Sequence, residues 1–213
     1  MNLIQDQPIM ARFGETVYLT SFITPKNPDV LLKFNKLAAG SRAETIWNLW
    51  QYVANLPYSR MVEAILQTPS MRIKQPDMWF YPAETMQVEV SNCANRAFLL
   101  TSLLKNMGEE GVYCVLGQLE ESPGMPIGSH AWVQIPVGGV PYYIETTARD
   151  LPGPLVPVGM PYNPFIWFDE SSVYVSDNEA DQSVIFNGKF VQPGAIDWLG
   201  DYLSAKALPL INA

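Results

Sequence analysis

Basic residues are scarce in this chain. Its 213 residues include 13 lysines and arginines against 21 aspartates and glutamates, which gives a net charge of −8. Proteins that bind nucleic acid or an anionic membrane surface usually present clustered basic residues, and the sequence contains no such cluster. We therefore expect no nucleic-acid partner and no membrane partner, and the acidic balance mainly favours solubility.

Cysteine and histidine are scarce as well. The chain has two cysteines, Cys93 and Cys114, and one histidine, His130. Secreted scaffolds of small domains usually carry more cysteines, in pairs, although one disulfide between these two stays open. A single histidine and two distant cysteines make no zinc pattern, and no glycine-rich nucleotide motif occurs. We therefore expect no metal and no cofactor.

Long apolar runs are also missing. No stretch reaches the roughly 18 consecutive apolar residues that a membrane span needs. Residues 1–13 lack the basic segment and following apolar run of a signal peptide. The expected location is therefore cytoplasmic.

The composition that remains is globular, with 48% hydrophobic and 16% charged residues. The length suits one sizeable domain. We predict a single domain over residues 1–213. It comprises an N-terminal arm and helices over 1–66, a core over 67–147, and covering loops, strands and a C-terminal helix over 148–213.

The spacing of apolar residues predicts three helices in the first half of the chain. The first covers residues 28–39. The second follows Ser41, which would form a capping box with Glu44. The third, with the clearest pattern, runs from residue 93 to 107, and residues 1–25 are predicted to form an extended arm.

Three strands are predicted to follow these helices, over residues 111–119, 130–136 and 141–146. The paired glycines at 138 and 139 predict a hairpin between the last two strands. A helix followed by antiparallel strands indicates an α+β fold. Elsewhere we predict loops over 67–90 and 147–172, strands over 173–175 and 183–186, and a helix over 195–207.

Cys93 begins the clearest helix directly after a loop. Backbone N–H groups at a helix N-terminus stabilise an anion, so the position favours a thiolate, the nucleophilic form of cysteine. The same groups can stabilise the oxyanion of acyl transfer. A small buried residue that caps a helix would occupy the same position. Cys114 lies in an apolar strand pattern and is expected to be buried and inert.

His130 starts a predicted strand, and Glu145 lies on the next strand. A thiol enzyme needs a base whose pKa lies near the working pH, and histidine supplies one. A carboxylate can orient the imidazole and stabilise its protonated form. The hairpin places both residues at the open end of the two strands, where a modest offset would bring them side by side. Asp150 is the alternative carboxylate.

Taken together, three segments carry a resemblance to a known family. They read Ser91-Asn92-Cys93 at the start of the helix, His130-Ala131-Trp132-Val133 on one strand, and Tyr143-Ile144-Glu145-Thr146-Thr147 on the next. Their order and spacing, over about residues 79–147, resemble those of the transglutaminase-like superfamily, which shares the papain-like core. The resemblance implies a helix bearing the nucleophile Cys93, packed on an antiparallel sheet that bears the general base and acid His130 and the orienting acid Glu145.

Two positions depart from the family's pattern. Glu145 stands where Asp is usual, so its side chain is one methylene longer, and Asn92 replaces the acidic residue before the cysteine. The oxyanion donor is left open between Gln87, at the spacing that papain-like proteases use, and Trp79, whose indole N–H can serve the same purpose. A solvent-facing glutamine and a core tryptophan are the alternative interpretations.

Two functional hypotheses follow. The first is thiol-dependent acyl transfer on an amide bond of a protein or peptide substrate, with hydrolysis preferred over transfer to an amine. The second is a non-catalytic member of the same fold that binds a peptide or protein. The oligomeric state is left open.

Overall fold

A computed structural model of the protein describes six segments of the chain and one further residue. They are residues 1–12, 15–59, 78–88, 90–148, 151–159 and 161–176, and Leu208, with only the backbone described at Met10 and Ala11. The helices in these segments are α1 (Pro28–Leu37), α2 (Arg42–Ala54), α3 (Pro82–Val88) and α4 (Cys93–Lys105), and a 3-10 turn covers Leu19–Phe22.

The strands in the same segments are β1 (Asn2–Ile4), β2 (Pro8–Arg12), β3 (Glu15–Tyr18), β4 (Tyr113–Ser122), β5 (Met125–Val137), β6 (Val140–Ile144), β7 (Leu155–Pro157), β8 (Tyr162–Phe168) and β9 (Val173–Val175). Seven of them form one antiparallel sheet, in the order β1-β9-β8-β4-β5-β6-β7, and β2 and β3 form a separate hairpin.

Two local predictions rest on turn and cap chemistry. The hairpin turn is confirmed, and of the predicted capping box only the first hydrogen bond is confirmed. Val137 of β5 pairs with Val140 of β6 across a two-residue turn. Gly138 and Gly139 have φ of 59° and 79°, the left-handed conformation that glycine adopts without strain. At the start of α2, the hydroxyl of the capping residue Ser41 accepts a hydrogen bond from the Glu44 backbone N–H at 3.2 Å.

Helix α4 is the centre of the core, because its side chains from Cys93 to Leu104 are all buried. Phe98 stacks on Phe22 with ring centroids 4.9 Å apart and meets Phe168 of β8 edge-on at 5.9 Å. Burying one such ring contributes on the order of 2 kcal/mol to the free energy of folding. The predicted α+β class is confirmed, with the cysteine-bearing helix packed on the antiparallel sheet that carries the histidine.

The loop predictions are wrong in two places. Residues 82–88 form helix α3, in which Pro82 takes the first helical position and Glu84 accepts a hydrogen bond from the Tyr81 N–H at 2.8 Å. Within the predicted covering loop lie the strands β7 and β8. The prolines of this segment predict a loop, which is why β8 was not expected. In the structure Pro164 pairs with Gly117 beside a register shift that accommodates a proline.

The N-terminal arm is more structured than expected. Its first strand, β1, closes one edge of the sheet against β9. Leu19–Phe22 turns as a 3-10 helix instead of continuing β3, because the Asp6 carboxylate accepts hydrogen bonds from the backbone N–H groups of Leu19 at 3.2 Å and Thr20 at 3.1 Å. A side-chain acceptor thus replaces a strand partner.

Several predictions fall outside the described residues. The strand over 183–186 and the helix over 195–207 lie there, and the single domain over residues 1–213 stays a prediction. Among the described residues, no helix has the length and apolar character that crossing a bilayer requires. The cytoplasmic location likewise stays a prediction.

Candidate active site

Cys93 occupies the first position of α4, and Asn92 before it is the N-cap. The Asn92 side chain accepts a hydrogen bond from the Asn95 backbone N–H at 2.9 Å, which fixes the first turn of the helix. Cys93 exposes none of its surface. Its side chain is therefore shielded from solvent at the N-terminus of α4, the positive end of the helix dipole.

His130 lies on β5, opposite Gly117 of β4, and is 1% exposed. The imidazole stacks on Trp132 with ring centroids 6.0 Å apart. A Cβ atom at Gly117 would lie 2.6 Å from the Trp132 ring and 2.2 Å from the Asn163 carbonyl oxygen. Only glycine at this position lets the ring and strand β8 approach so closely.

The acid lies close to the imidazole although the two residues are not a register pair. Pairing of β5 with β6 ends at Val133 and Ile144, so its continuation would set Glu145 opposite Trp132 rather than His130. The Glu145 side chain spans this offset and brings Oε2 to 2.8 Å from His130 Nε2.

Glu145 is fully buried, and its two carboxylate oxygens accept four hydrogen bonds. Thr147 donates to Oε1 from both its backbone N–H and its hydroxyl, each at 2.6 Å. Oε2 faces His130 and also accepts from the Tyr162 hydroxyl at 2.9 Å. The Glu145 carbonyl accepts from the Trp50 indole N–H at 2.7 Å. A carboxylate with this many donors stays ionised although it is buried.

The charges of the pair shift both pKa values strongly. Burial lowers the pKa of His130, but the charge of Glu145 and hydrogen bonds with Cys93 and Glu145 outweigh it and raise the pKa to about 10. Burial raises the pKa of Glu145, but the charge of His130 and hydrogen bonds from His130 and Thr147 lower it to about 2. The pair therefore exists as imidazolium and carboxylate over the whole neutral range.

The hydrogen bond between Cys93 and His130 completes a chain of three side chains. Because Nε2 of the ring faces Glu145, Nδ1 is the nitrogen left for the sulfur. Thiol, imidazole and carboxylate are thus joined in the order that a nucleophile, its base and an orienting acid require.

Arg96, one turn after Cys93, holds the surrounding loops together. It is 4% exposed and donates from Nε to the Ser91 hydroxyl at 2.9 Å, and from its terminal nitrogens to the carbonyl oxygens of Thr146 and Leu56. One guanidinium therefore connects the segment before the cysteine, the segment after the acid and the residues that follow α2.

The two oxyanion candidates lie in different environments. The Trp79 ring packs edge-on against Phe22 at 5.5 Å and Phe98 at 5.1 Å, and Asn95 fixes the backbone on both sides of it. Gln87 is exposed and lines a surface groove between α1 and α3. Their role as oxyanion donors stays a prediction for both.

The other candidates from the sequence are Asp150, Cys114, a disulfide and a metal site. Asp150 lies outside the described residues. Cys114 is fully buried as expected, and burial followed by the neighbouring Cys93 raises the pKa of its thiol well above the usual range. Both cysteines are free, so the disulfide left open by the sequence is not formed here. Among the described residues, no group of three histidine, cysteine, aspartate or glutamate side chains has the geometry to hold a metal ion.

Several residues that contact the acid or frame the site are not singled out by any pattern in the sequence. Tyr162 was hidden in a segment predicted to be a loop, and Arg96 looked like an ordinary polar position on a helix. Thr147 had a usable signal, because a hydroxyl residue two positions after a carboxylate can donate locally to it.

Solved structures of LapG from Legionella pneumophila are similar to this chain. One is 11% identical, covers 79% of this chain and 91% of LapG, and has a TM-score of 0.46. The EGTA-treated form is 12% identical, with coverages of 80% and 91% and a TM-score of 0.47. The calcium-bound form is 12% identical, with coverages of 82% and 97% and a TM-score of 0.42. Likeness at this level concerns the fold alone. No family profile and no curated protein matches the chain.

Proposed function

We propose that the protein is a thiol enzyme that hydrolyses an amide bond in a protein or peptide substrate. Cys93 is the nucleophile, His130 the general base and acid, and Glu145 the residue that orients the imidazole. The observation that carries the proposal is the central position of His130, which is hydrogen-bonded to Cys93 and lies 2.8 Å from the Glu145 carboxylate.

The proposed reaction starts from an ion pair in which His130, whose raised pKa favours the imidazolium, already holds the proton given up by the Cys93 thiol. The Cys93 thiolate adds to the amide carbonyl carbon, and the imidazolium protonates the amine as the C–N bond breaks. The amine leaves, and the acyl group remains on sulfur as a thioester. Water then adds to the thioester, giving a proton to His130. The C–S bond then breaks, the carboxylic acid departs, and the Cys93 thiolate beside the protonated His130 is restored.

Glu145 contributes to this cycle without exchanging protons. Its lowered pKa keeps it anionic, so it stabilises the imidazolium before the proton passes to the amine and again after water supplies a new one. Its four hydrogen bonds hold the accepting oxygen in place while the imidazole gains and loses a proton. A fixed carboxylate needs no reorganisation during the reaction, which is how preorganised polar groups accelerate acyl transfer.

A peptide mixture in ¹⁸O-water with added methylamine tests the reaction. Hydrolysis places ¹⁸O in new carboxyl termini, whereas amine transfer produces methylamides, and mass spectrometry distinguishes the two. We expect ¹⁸O-labelled termini with the wild type and none with Cys93→Ala. Equal products from both proteins would overturn the role of Cys93, and methylamides in place of new termini would replace hydrolysis by amine transfer.

The second candidate function is peptide or protein binding without catalysis. It is favoured by the burial of the three side chains, since Cys93 and Glu145 expose none of their surface and His130 only 1%. Substrate can reach the sulfur only after neighbouring groups move. Under this alternative no new termini form, and the wild type and Cys93→Ala capture the same peptides from the mixture.

A further inference from the structure

Tyr162 contacts the acid of the site from a strand that the triad does not use. It is the first residue of β8, is 4% exposed, and its hydroxyl lies 2.9 Å from Glu145 Oε2. The same oxygen faces His130 Nε2 at 2.8 Å. Two donors from two different strands therefore meet on one carboxylate oxygen.

The ring that carries this hydroxyl is held on several sides. It packs on Trp132 with centroids 4.8 Å apart, on Tyr143 at 5.2 Å and on His130 at 6.4 Å. Its backbone pairs with Leu119 of β4. A side chain packed in this way has little rotamer freedom left to lose, so its hydroxyl is a fixed reference point for the carboxylate.

The Tyr162 hydroxyl keeps its proton, and so remains a hydrogen-bond donor, at every pH at which proteins are usually studied. Burial first, and then the negative charge of Glu145, raise the pKa of Tyr162 well above the usual range. The other oxygen of the carboxylate is already fixed by Thr147. Without the tyrosine hydroxyl, Oε2 would keep only His130 as a donor, and a shift of the carboxylate would move the acceptor away from the imidazole.

We propose that Tyr162 is a positioning residue of the reaction, which holds Glu145 Oε2 against His130 Nε2 and so keeps the imidazole aligned with Cys93. This inference rests on the proposed function. Tyr162 touches no reacting atom in this account and acts only through the acid. Its contribution is the alignment of one hydrogen bond, which geometry-sensitive measurements detect.

The chain offers a matched control. Tyr143 belongs to the same aromatic group and is 1% exposed, but its hydroxyl has no hydrogen-bond partner among the described residues. Tyr162→Phe and Tyr143→Phe each remove one oxygen from this group and keep the ring. Circular dichroism melting first establishes that both variants fold, and a loss of melting temperature common to both is the effect of the packing alone.

The first readout is alkylation of Cys93 by iodoacetamide near neutral pH, followed by peptide mass spectrometry. We expect Tyr162→Phe to slow it about ten-fold, the usual effect of removing a hydrogen bond to a charged group, and Tyr143→Phe to leave it unchanged. Equal rates in the two variants would overturn the inference.

The second readout uses the fact that His130 is the only histidine. In protein labelled with ¹⁵N-histidine, the imidazole Nε2 proton gives a single signal whose exchange with water reports its hydrogen bond. We expect faster exchange in Tyr162→Phe than in Tyr143→Phe and the wild type. If His130→Ala slows alkylation while Tyr162→Phe matches its control in both readouts, the inference fails and the proposed function stands. If His130→Ala has no effect on alkylation, the proposed function itself fails.

Discussion

Glu145 reaches His130 diagonally across the β5–β6 hairpin. Continued register would set Glu145 opposite Trp132, two residues from His130, yet its Oε2 lies 2.8 Å from the imidazole Nε2. Diagonal neighbours on an antiparallel pair are about 7–8 Å apart at Cα, a gap that long side chains can cross. The extra methylene of glutamate, a departure from the family pattern, therefore fits the geometry of this hairpin.

Whether the site needs the full length of the Glu145 side chain can be tested by substitution. We expect Glu145→Asp to slow alkylation of Cys93 at least about ten-fold, because the shorter side chain leaves His130 without its acceptor. Glu145→Gln keeps the length and removes the charge, so it separates reach from electrostatics. Wild-type rates in Glu145→Asp would show that the carboxylate does not need to span the diagonal.

The shifted pKa of His130 predicts how stability changes with pH. Its folded-state pKa is raised to about 10 from an ordinary value near 6.5, so the folded protein binds an extra proton between these values. The resulting stabilisation is complete below about pH 6.5 and is lost as the pH rises through about 10. Urea unfolding from pH 6 to 10 should show this loss in the wild type.

The control for this titration is His130→Gln, which removes the titrating group. We expect the free energy of unfolding of this variant to fall less steeply over the same interval. Parallel curves for the two proteins would mean that the His130–Glu145 pair does not carry the linkage. Glu145 acts in the opposite direction, since its lowered pKa gives stability that is present above about pH 4.5 and is lost as the pH falls through about 2.

Arg96 and Arg42 form a matched pair of arginines, one at the site and one away from it. Arg96 donates to Ser91, Thr146 and Leu56 around the triad. We expect Arg96→Lys to lower the free energy of unfolding by about 2–4 kcal/mol, since buried acceptors lose their donors, and to slow Cys93 alkylation.

Arg42 makes similar contacts far from the triad. It donates to both carboxylate oxygens of Glu109, at 2.5 and 2.8 Å, and to the Pro136 carbonyl at 2.6 Å. Arg42→Lys should therefore reduce stability without changing the alkylation rate. An unchanged alkylation rate in Arg96→Lys would restrict that residue to a purely structural role.

Gly117 is tightly enclosed by its neighbours beside the site. A Cβ atom there would lie 2.2 Å from the Asn163 carbonyl oxygen and 2.8 Å from Pro164 Cα. Because both are backbone atoms, the backbone of β8 would have to shift to make room. We expect Gly117→Ala to destabilise the protein by about 2 kcal/mol or more.

Gly40 supplies the comparison, because a Cβ atom there meets nothing within 4 Å. Gly40→Ala should leave the free energy of unfolding unchanged or raise it slightly, through reduced freedom of the unfolded chain. Thermal melting of the two variants would contradict this account if Gly117→Ala were as stable as Gly40→Ala.

The sequence predicts those parts of the molecule whose signals are local. The clearest helix starts at Cys93 as expected, because a cap and an apolar pattern mark it, and the hairpin at Gly138 and Gly139 follows from turn chemistry. Cys93 begins α4 and Glu145 directly follows β6, as the patterns predict, whereas His130 lies within β5, which begins at Met125 and not at His130 as expected.

Other features depend on contacts between distant residues. Strand β8 contains Pro164, which sequence patterns read as a loop, and it becomes a strand because its register shift with β4 accommodates the proline. Tyr162 could not be linked to Glu145, since that contact follows from the order β8-β4-β5-β6 of the sheet. Strand order in a sheet is not written in local periodicity.

The most direct test of the account is the pH dependence of iodoacetamide labelling at Cys93, in the wild type and in His130→Ala. Comparing pH values within each protein cancels the cost of exposing the Cys93 sulfur. Cys114 is the internal control, because it is equally buried but its thiol pKa is raised well above the usual range. We expect Cys93 of the wild type to react at about pH 6, Cys114 to stay unlabelled, and His130→Ala to lose the reactivity at low pH. If Cys93 instead shows the pH profile of an ordinary thiol in both proteins, the Cys93–His130 pair is not a nucleophile and the enzymatic interpretation is wrong.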